Sequence, residues 1–372
     1  MSEVGGPLRI VHAAENIKGG VGSYLRELLV MQRQAFGADM VSAVVPGSQI
    51  DMLQAPAGVR IISFDDSGTR AANALRMARL ARRVVSETVP DVVHLHSTFA
   101  VAVLRPQLTI RRRRMAVIYC PHGWAFDRDG SPWSKRSARW VERGLATLCD
   151  SIVCISEHER QMAVDSGIPG HKLTVVNNGV PFAAAGPTSE PVAVEWPEQV
   201  RRVLFVGRFD RQKGIDVLLD ALRDLDGEAF AYLVGDPVLK DLTLERLPRN
   251  ARHVGWLTPA QMEPYYRSAD VLVIPSRWEG FGLTAVEAMR AGLAVIASRV
   301  GGLKEVVEDE ITGILVPPGD AAALVDGLRR LTVTQLRLMG LAGKERFLRR
   351  FTLEQMHIKL LGVYRRSCDA QA

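Results

Sequence analysis

The sequence predicts an α/β protein of two Rossmann-like, doubly wound domains facing a cleft, on three observations. Short β-branched runs alternate with helix-like segments along all 372 residues, the pattern of parallel strands joined by crossover helices. That length exceeds what one ordinary core fills and suits two. Near the middle, Ala183 to Gln199 breaks the rhythm with small residues, acids and prolines and reads as a linker. The first domain is therefore expected over residues 1–182, the linker over 183–199, and the second domain from residue 200 onward.

The expected strands follow in order. LRIVHA comes first, with a helix after Gly22, and VVHLHS, AVIYC, SIVCIS and LTVVNNG complete the first half. RVLFVG, FAYLVG, VLVIPS, AVIAS and GILVPP build the second. With 47% hydrophobic and 24% charged residues, neither a disordered nor a fibrous class fits. No apolar run approaches the roughly 18 residues of a membrane span. The N-terminal MSEVGGPLRIVHAAE has an early acid and only a short apolar run, so a cytoplasmic location is expected. Cys120, Cys149, Cys154 and Cys368 show no CxxC or Cys/His spacing, against structural zinc and against a disulfide framework.

Charge is unevenly shared. Residues 1–182 hold 22 Lys+Arg against 16 Asp+Glu, and the remainder hold 25 against 25, so the whole excess of +6 lies in the first half. It concentrates at Arg76, Arg79, Arg82 and Arg83, at Arg111 to Arg114, and at Lys135, Arg136, Arg139 and Arg143. Such clusters are solvated helix faces or a surface for anionic partners.

Two motifs carry chemistry. In RVLFVGRFDRQKGIDVLL a strand ends at Gly207, and Arg208 and Lys213 fall on the following loop, where open parallel sheets bind ligands. Two cations beside close-approach glycines suit a diphosphate. By itself the loop is equally an ordinary βα connection with a surface Arg and Lys. In PSRWEGFGLTAVEAM the loop carries Glu279, and a helix starts at Leu283, so the free amides of Gly282, Leu283 and Thr284 favour an anion. Glu287 lies one turn inside and Glu279 stays in the loop, one carboxylate for each side of a bound phosphate.

Together with ASRVGGLKEVV and GILVPPGD, these motifs resemble the retaining, nucleotide-sugar-dependent glycosyltransferases of family 4, which have the GT-B fold. GGVGSY, DVVHLHS, PHG, ISEHE and NNGV add to the likeness, which spans nearly the whole chain. The resemblance implies a nucleotide diphosphate sugar held by the second domain and a saccharide or glycolipid acceptor on the first. It also implies that a terminal helix, from about residue 352 to 372, returns to the first domain, leaving 200–351 for the second. Residue by residue, it gives Arg208 and Lys213 to the diphosphate, Glu279 to the donor sugar, Glu287 to the ribose and His122 to the neighbourhood of the transferred sugar. The implied catalytic set is His122, Arg208, Lys213 and Glu279. The donor-binding set is Gly20, Gly207, Arg208, Lys213, Phe281, Gly282, Leu283, Thr284 and Glu287. No cofactor and no tightly bound metal are expected. The chain departs from the family at VGDP, where Asp236 stands in place of a second glycine after Gly235.

Gly19, Gly20 and Gly22 either let backbone approach a ligand or serve close helix packing. His12, His94 and His96 read as core or edge histidines, and the DxD at Asp224 and Asp226 as a turn. The basic first half suggests an acceptor at an anionic membrane surface, the cytoplasmic face of an inner membrane, with Trp124, Phe126 and Trp133 inserted or packed. The function expected is retaining sugar transfer to a lipid-linked saccharide in bacterial surface polysaccharide synthesis. The alternatives are a GT-B enzyme with a small soluble acceptor, a nucleotide-sugar epimerase, and, from another class, a noncatalytic nucleic-acid-binding protein. The basic clusters lack the interleaved aromatics and reader motifs of that last class.

Overall fold

A computed structural model of the chain describes residues 6–108, 115–127, 130–182, 194–237 and 247–371. It divides into two compact units, Met1–Asn178 with Glu354–Ala372, and Gly179–Leu353.

In the first unit the chain runs β1 (Ile10–Ala14), α1 (Gly20–Phe36), β2 (Val41–Pro46), α2 (Ile50–Leu53), β3 (Arg60–Phe64), α3 (Arg70–Thr88), β4 (Val92–His96), α4 (Thr98–Leu108), β5 (Ala116–Cys120), α5 (Pro132–Ala146), β6 (Ser151–Cys154), α6 (Glu157–Asp165) and β7 (Leu173–Val175). The strands form one parallel sheet in the order β3-β2-β1-β4-β5-β6-β7. Period-2 alternation gives it two buried faces. Val41, Ala43 and Val45 pack with Leu25 and Leu29 of α1, whereas Val44, Val11 and Val93 pack with Met77, Ala81 and Val84 of α3. Helix starts are fixed by side-chain caps, Thr69 for α3, Ser131 for α5 and Ser156 for α6.

The second unit continues with β8 (Arg201–Val206), α7 (Ile215–Asp224), β9 (Ala229–Val234), β10 (Ala251–Gly255), α8 (Pro259–Ser268), β11 (Val271–Ile274), α9 (Leu283–Ala291), β12 (Ala294–Ser298), α10 (Leu303–Val306), β13 (Gly313–Val316), α11 (Ala321–Arg330) and α12 (Val333–Arg350). Its parallel sheet has the order β10-β9-β8-β11-β12-β13. One face packs Val203, Phe205 and Ile296 on α7 and α11. Apart from its first residue, α13 (Leu353–Asp369) belongs to the first unit, where its Tyr364 bonds His94 and its Ser367 bonds Ser151.

Residues 183–193 of the expected linker lie outside the described residues, as do Arg111 to Arg114. The stretch ends on the second unit: Trp196 packs edge to face on Tyr232 at 4.7 Å and donates to Ser268 Oγ at 2.9 Å. The Tyr232 hydroxyl also donates to the Glu195 carbonyl at 2.6 Å, so the described end of a linker-like stretch is held on the second unit.

In each sheet the order reverses beside the first strand, between β1 and β4 and between β8 and β11. The loops leaving those strand ends part to opposite faces, which opens a crevice at the carboxyl edge.

Candidate active site

The loops after β8 and β11 are the two motif segments, and the neighbouring strands bring them together. Lys213 Nζ lies 2.5 Å from Glu279 Oε2 although 66 residues separate them. Both side chains are mostly buried, at 19% and 13% exposure, and Ser276 Oγ donates to the same carboxylate oxygen at 3.4 Å. Asp210 organises the first loop, accepting the Lys213 amide at 2.9 Å and pairing with Arg208 at 3.0 Å. Arg208 also donates to Gln212 Oε1 at 2.8 Å, and Gln212 reaches the Trp278 carbonyl on the second loop at 3.3 Å. The Lys213 stem rests on Gly207. A Cβ at Gly214, whose φ is 64°, would overlap the Pro275 carbonyl, so the two loops meet backbone to backbone.

α9 points its N-terminus from the same edge. Its first ladder bonds run from Ala285 and Val286 to the Gly282 carbonyl, which places the amides of Gly282, Leu283 and Thr284 ahead of the ladder. Phe281 is buried, edge on to Phe351 at 5.9 Å; its side chain anchors the loop from below. From above, Gly301 sits at φ 46°, where a Cβ would overlap the Glu279 carbonyl, and the Gly302 amide donates to that carbonyl at 3.1 Å. Glu287 Oε2 accepts from the Tyr266 hydroxyl at 2.8 Å. Burial, then the Glu287 charge, pushes the Tyr266 phenol well above its ordinary value, so it stays a donor. At the departure in VGDP, the Asp236 carbonyl accepts the Phe209 amide at 2.9 Å and its carboxylate lies 3.1 Å from His253. Aspartate thereby pins this loop to GRFD.

In the first unit His122 follows β5 at φ 53° and joins a chain of imidazoles. Its Nε2 is 3.0 Å from His96 Nδ1, and its Nδ1 is 3.6 Å from Cys120 Sγ. Burial holds His122 neutral, its pKa down at about 3. Gly20 opens α1 and is exposed, whereas a Cβ at Gly22 would overlap the Ile17 carbonyl, so close helix packing accounts for that glycine. Insertion of Trp124 and Phe126 into a membrane is corrected: both are core, at 1% and 2% exposure, with rings stacked at 5.3 Å. Trp133 is exposed, and so is Trp140, which the sequence places beside the stripe of Arg136, Arg139 and Arg143. The DxD lies at the end of α7, where Asp226 forms an ion pair with Arg249.

Sequence reasoning missed Tyr266 and Gln212, for which no local signal existed. It also passed over the grouping of His12, His94 and His96, whose HxH spacing on a strand was the available clue.

The second unit matches the family model of glycosyl transferases group 1 over residues 200–333, and the first matches a glycosyl transferase 4-like domain over residues 19–179. An uncharacterized 41.2 kDa protein in the cps region of Klebsiella pneumoniae is 32% identical over 326 residues, covering 86% of this chain and 88% of that protein. The chain belongs to the family 4 glycosyltransferases. Membership sets aside the noncatalytic nucleic-acid-binding reading. The glycosyltransferase has the GT-B fold, shared with sucrose-phosphate synthase from Thermosynechococcus elongatus at TM-score 0.83 and 24% identity, over 97% of this chain and 99% of that one. HepE of Anabaena, solved in complex with UDP-glucose, superposes at TM-score 0.76 and 17% identity, over 96% and 99%. Among the described residues of this glycosyltransferase, no helix is long and apolar enough to cross a membrane.

Because Gly301 combines a left-handed φ with contact on rigid backbone, Gly301→Ala is expected to cost about 1–3 kcal/mol. It should also displace the Glu279 loop. Urea unfolding checks the first effect, and loss of activity beyond the loss of folded fraction checks the second.

Proposed function

We propose that this glycosyltransferase moves a sugar from a nucleotide diphosphate donor to an acceptor hydroxyl with retention of anomeric configuration. The observation that carries the reading is the meeting of Lys213 and Glu279 at 2.5 Å, on the two loops that also carry Arg208 and lead into the N-terminus of α9. Two cations and a helix N-terminus stabilise the negative charge that develops on a departing diphosphate, so no metal need be held there. Glu279 addresses the donor sugar and Glu287, steadied by Tyr266, the ribose. Gly20 and Gly207 allow close backbone approach to the donor, and His122 serves the transferred sugar from the first unit. The UDP-glucose complex of HepE supports a nucleotide-sugar donor.

The acceptor we propose is a lipid-linked saccharide used in surface polysaccharide synthesis, met at an anionic cytoplasmic membrane face. A relative in a cps region accords with this, and the exposed stripe of α5 supports it. Trp133, Arg136, Trp140 and Arg143 recur at i, i+3, i+7 and i+10, Trp133 and Trp140 are 77% and 63% exposed, and Arg143 lies 5.8 Å from the Trp140 ring. Each cation near such a leaflet contributes about 1 kcal/mol.

Lys213→Ala and Arg208→Ala are each expected to lose transfer by roughly a hundredfold or more in a coupled nucleotide-release assay. Near-normal turnover in both folded variants would remove the diphosphate assignment. A nucleotide-sugar epimerase or a soluble-acceptor enzyme would show itself in the products of the same assay.

The two glutamates should separate by calorimetry. Glu287→Ala weakens the free nucleotide diphosphate and the donor alike. Glu279→Ala spares or tightens the nucleotide, because it frees the Lys213 charge, and still damages sugar transfer. Identical behaviour of the two variants would sink the two-sided account.

In vesicle sedimentation, binding should rise with anionic lipid, fall with salt, and drop when Arg136, Arg139 and Arg143 become glutamine. Indifference to lipid charge would favour a soluble acceptor.

A further inference from the structure

His12 on β1 and His94 and His96 on β4 stand on one face of two neighbouring parallel strands. His12 pairs with His94 in register and Ala14 with His96, and alternate strand residues share a face. All three histidines are fully buried, and one nitrogen from each lies within 4.8 Å of the others. His12 Nδ1 and His96 Nε2 are 3.0 Å apart, and the His94 and His96 rings are 4.2 Å apart between centroids. Hydrogen bonding alone leaves an atom over. His94 Nδ1 meets the Tyr364 hydroxyl at 2.7 Å, but His94 Nε2 is buried with no partner among the described residues. An enclosed imidazole nitrogen is costly unless something satisfies it, and an ion is one such occupant.

We propose that His12 Nδ1, His94 Nε2 and His96 Nε2 are three ligands of a divalent transition metal, zinc by the chemistry of an all-imidazole set. This assignment employs every ring nitrogen of the three. Each histidine turns its other nitrogen to an outer partner: His12 Nε2 to Gln32 Oε1 at 2.7 Å, His94 Nδ1 to Tyr364 Oη at 2.7 Å, and His96 Nδ1 to His122 Nε2 at 3.0 Å. Metal-bound imidazoles hold their remaining N–H in this way, which fixes both tautomer and ring orientation. Ligands about 2.05 Å from a tetrahedral ion lie about 3.3 Å apart, close to the spacing already present between His12 and His96. Three protein ligands leave a fourth position open. The proposal departs, in the first unit, from the expectation of no tightly bound metal, on side chains with no part in the proposed diphosphate binding.

The site has a consequence for His122. With His96 Nδ1 donating to His122 Nε2, the His122 proton sits on Nδ1, on the side of Cys120 Sγ. The ion would thereby set the tautomer of the one histidine that the proposed transfer employs.

The test uses the full chain, stripped by dialysis against a chelator and titrated with Zn²⁺ or Co²⁺ alone. Roughly one equivalent of zinc should bind, cobalt should give the visible bands of a tetrahedral ion, and the melting temperature should rise with added metal. His94→Asn should weaken zinc by about tenfold or more, and Gln32→Ala by about 10–100-fold. Absence of metal uptake and of the cobalt bands in the folded, stripped wild-type chain overturns the proposal. So does unchanged zinc affinity in a His94→Asn chain that circular dichroism shows to be folded, since the ion would then lie elsewhere. The cobalt spectrum is read on the unaltered chain, so it decides for or against the site even where a variant fails to fold.

Discussion

The constraint on which both units depend is the reversal of strand order beside the first strand of each sheet. A right-handed crossover sends the chain to one face of the sheet, and the next run of crossovers, built outward in the other direction, goes to the opposite face. β8 and β11, and β1 and β4, are therefore neighbours whose following loops diverge. Nothing in the local preferences of GRFDRQKG or PSRWEGFG brings them together. Adjacency of β8 and β11 does, and the Lys213–Glu279 pair is its consequence.

Holding such loops in register takes backbone contact, because side chains would fill the crevice a substrate needs. Gly214 lies against the Pro275 carbonyl and Gly301 against the Glu279 carbonyl, so the floor of the site is main chain stacked on main chain. Phe281 secures it from the core side. The ion pair above this floor is a mostly buried one, whose desolvation cost is recovered only with additional polar partners. Ser276 supplies one to Glu279, and Asp210, accepting the Lys213 amide, holds the loop that carries the lysine. Lys213 is thereby oriented before any ligand arrives, so that little of its conformational entropy would remain to be lost on binding one.

The first unit uses the same topological device with different chemistry. Where β8 and β11 end in charged loops, β1 and β4 carry histidines within the strands themselves, enclosed by α1 and α13. Polar groups at such depth need partners, and Gln32, His12, His96 and His122 are linked in series, which leaves His94 Nε2 over among the described residues. Rigidity is the result: a partly buried histidine at the sheet edge inherits its orientation from residues buried two strands away.

Much was legible in the sequence, because it depends on local chemistry. Strand periodicity, glycine placement and the switch from apolar strand to charged loop gave the α/β class and put Arg208, Lys213, Glu279 and Glu287 on the right kinds of element. The charge count located the basic excess, although it did not separate the exposed Trp133 and Trp140 from the core Trp124, since aromatic residues next to a basic helix look alike in one dimension. Nor did it show that Trp196 anchors the end of a linker-like stretch. Tertiary structure alone decided which distant groups meet: Tyr266 on Glu287, Lys213 on Glu279, and three histidines on one sheet face. The physical reason is that periodicity fixes which face a residue occupies, while only strand order fixes what it faces.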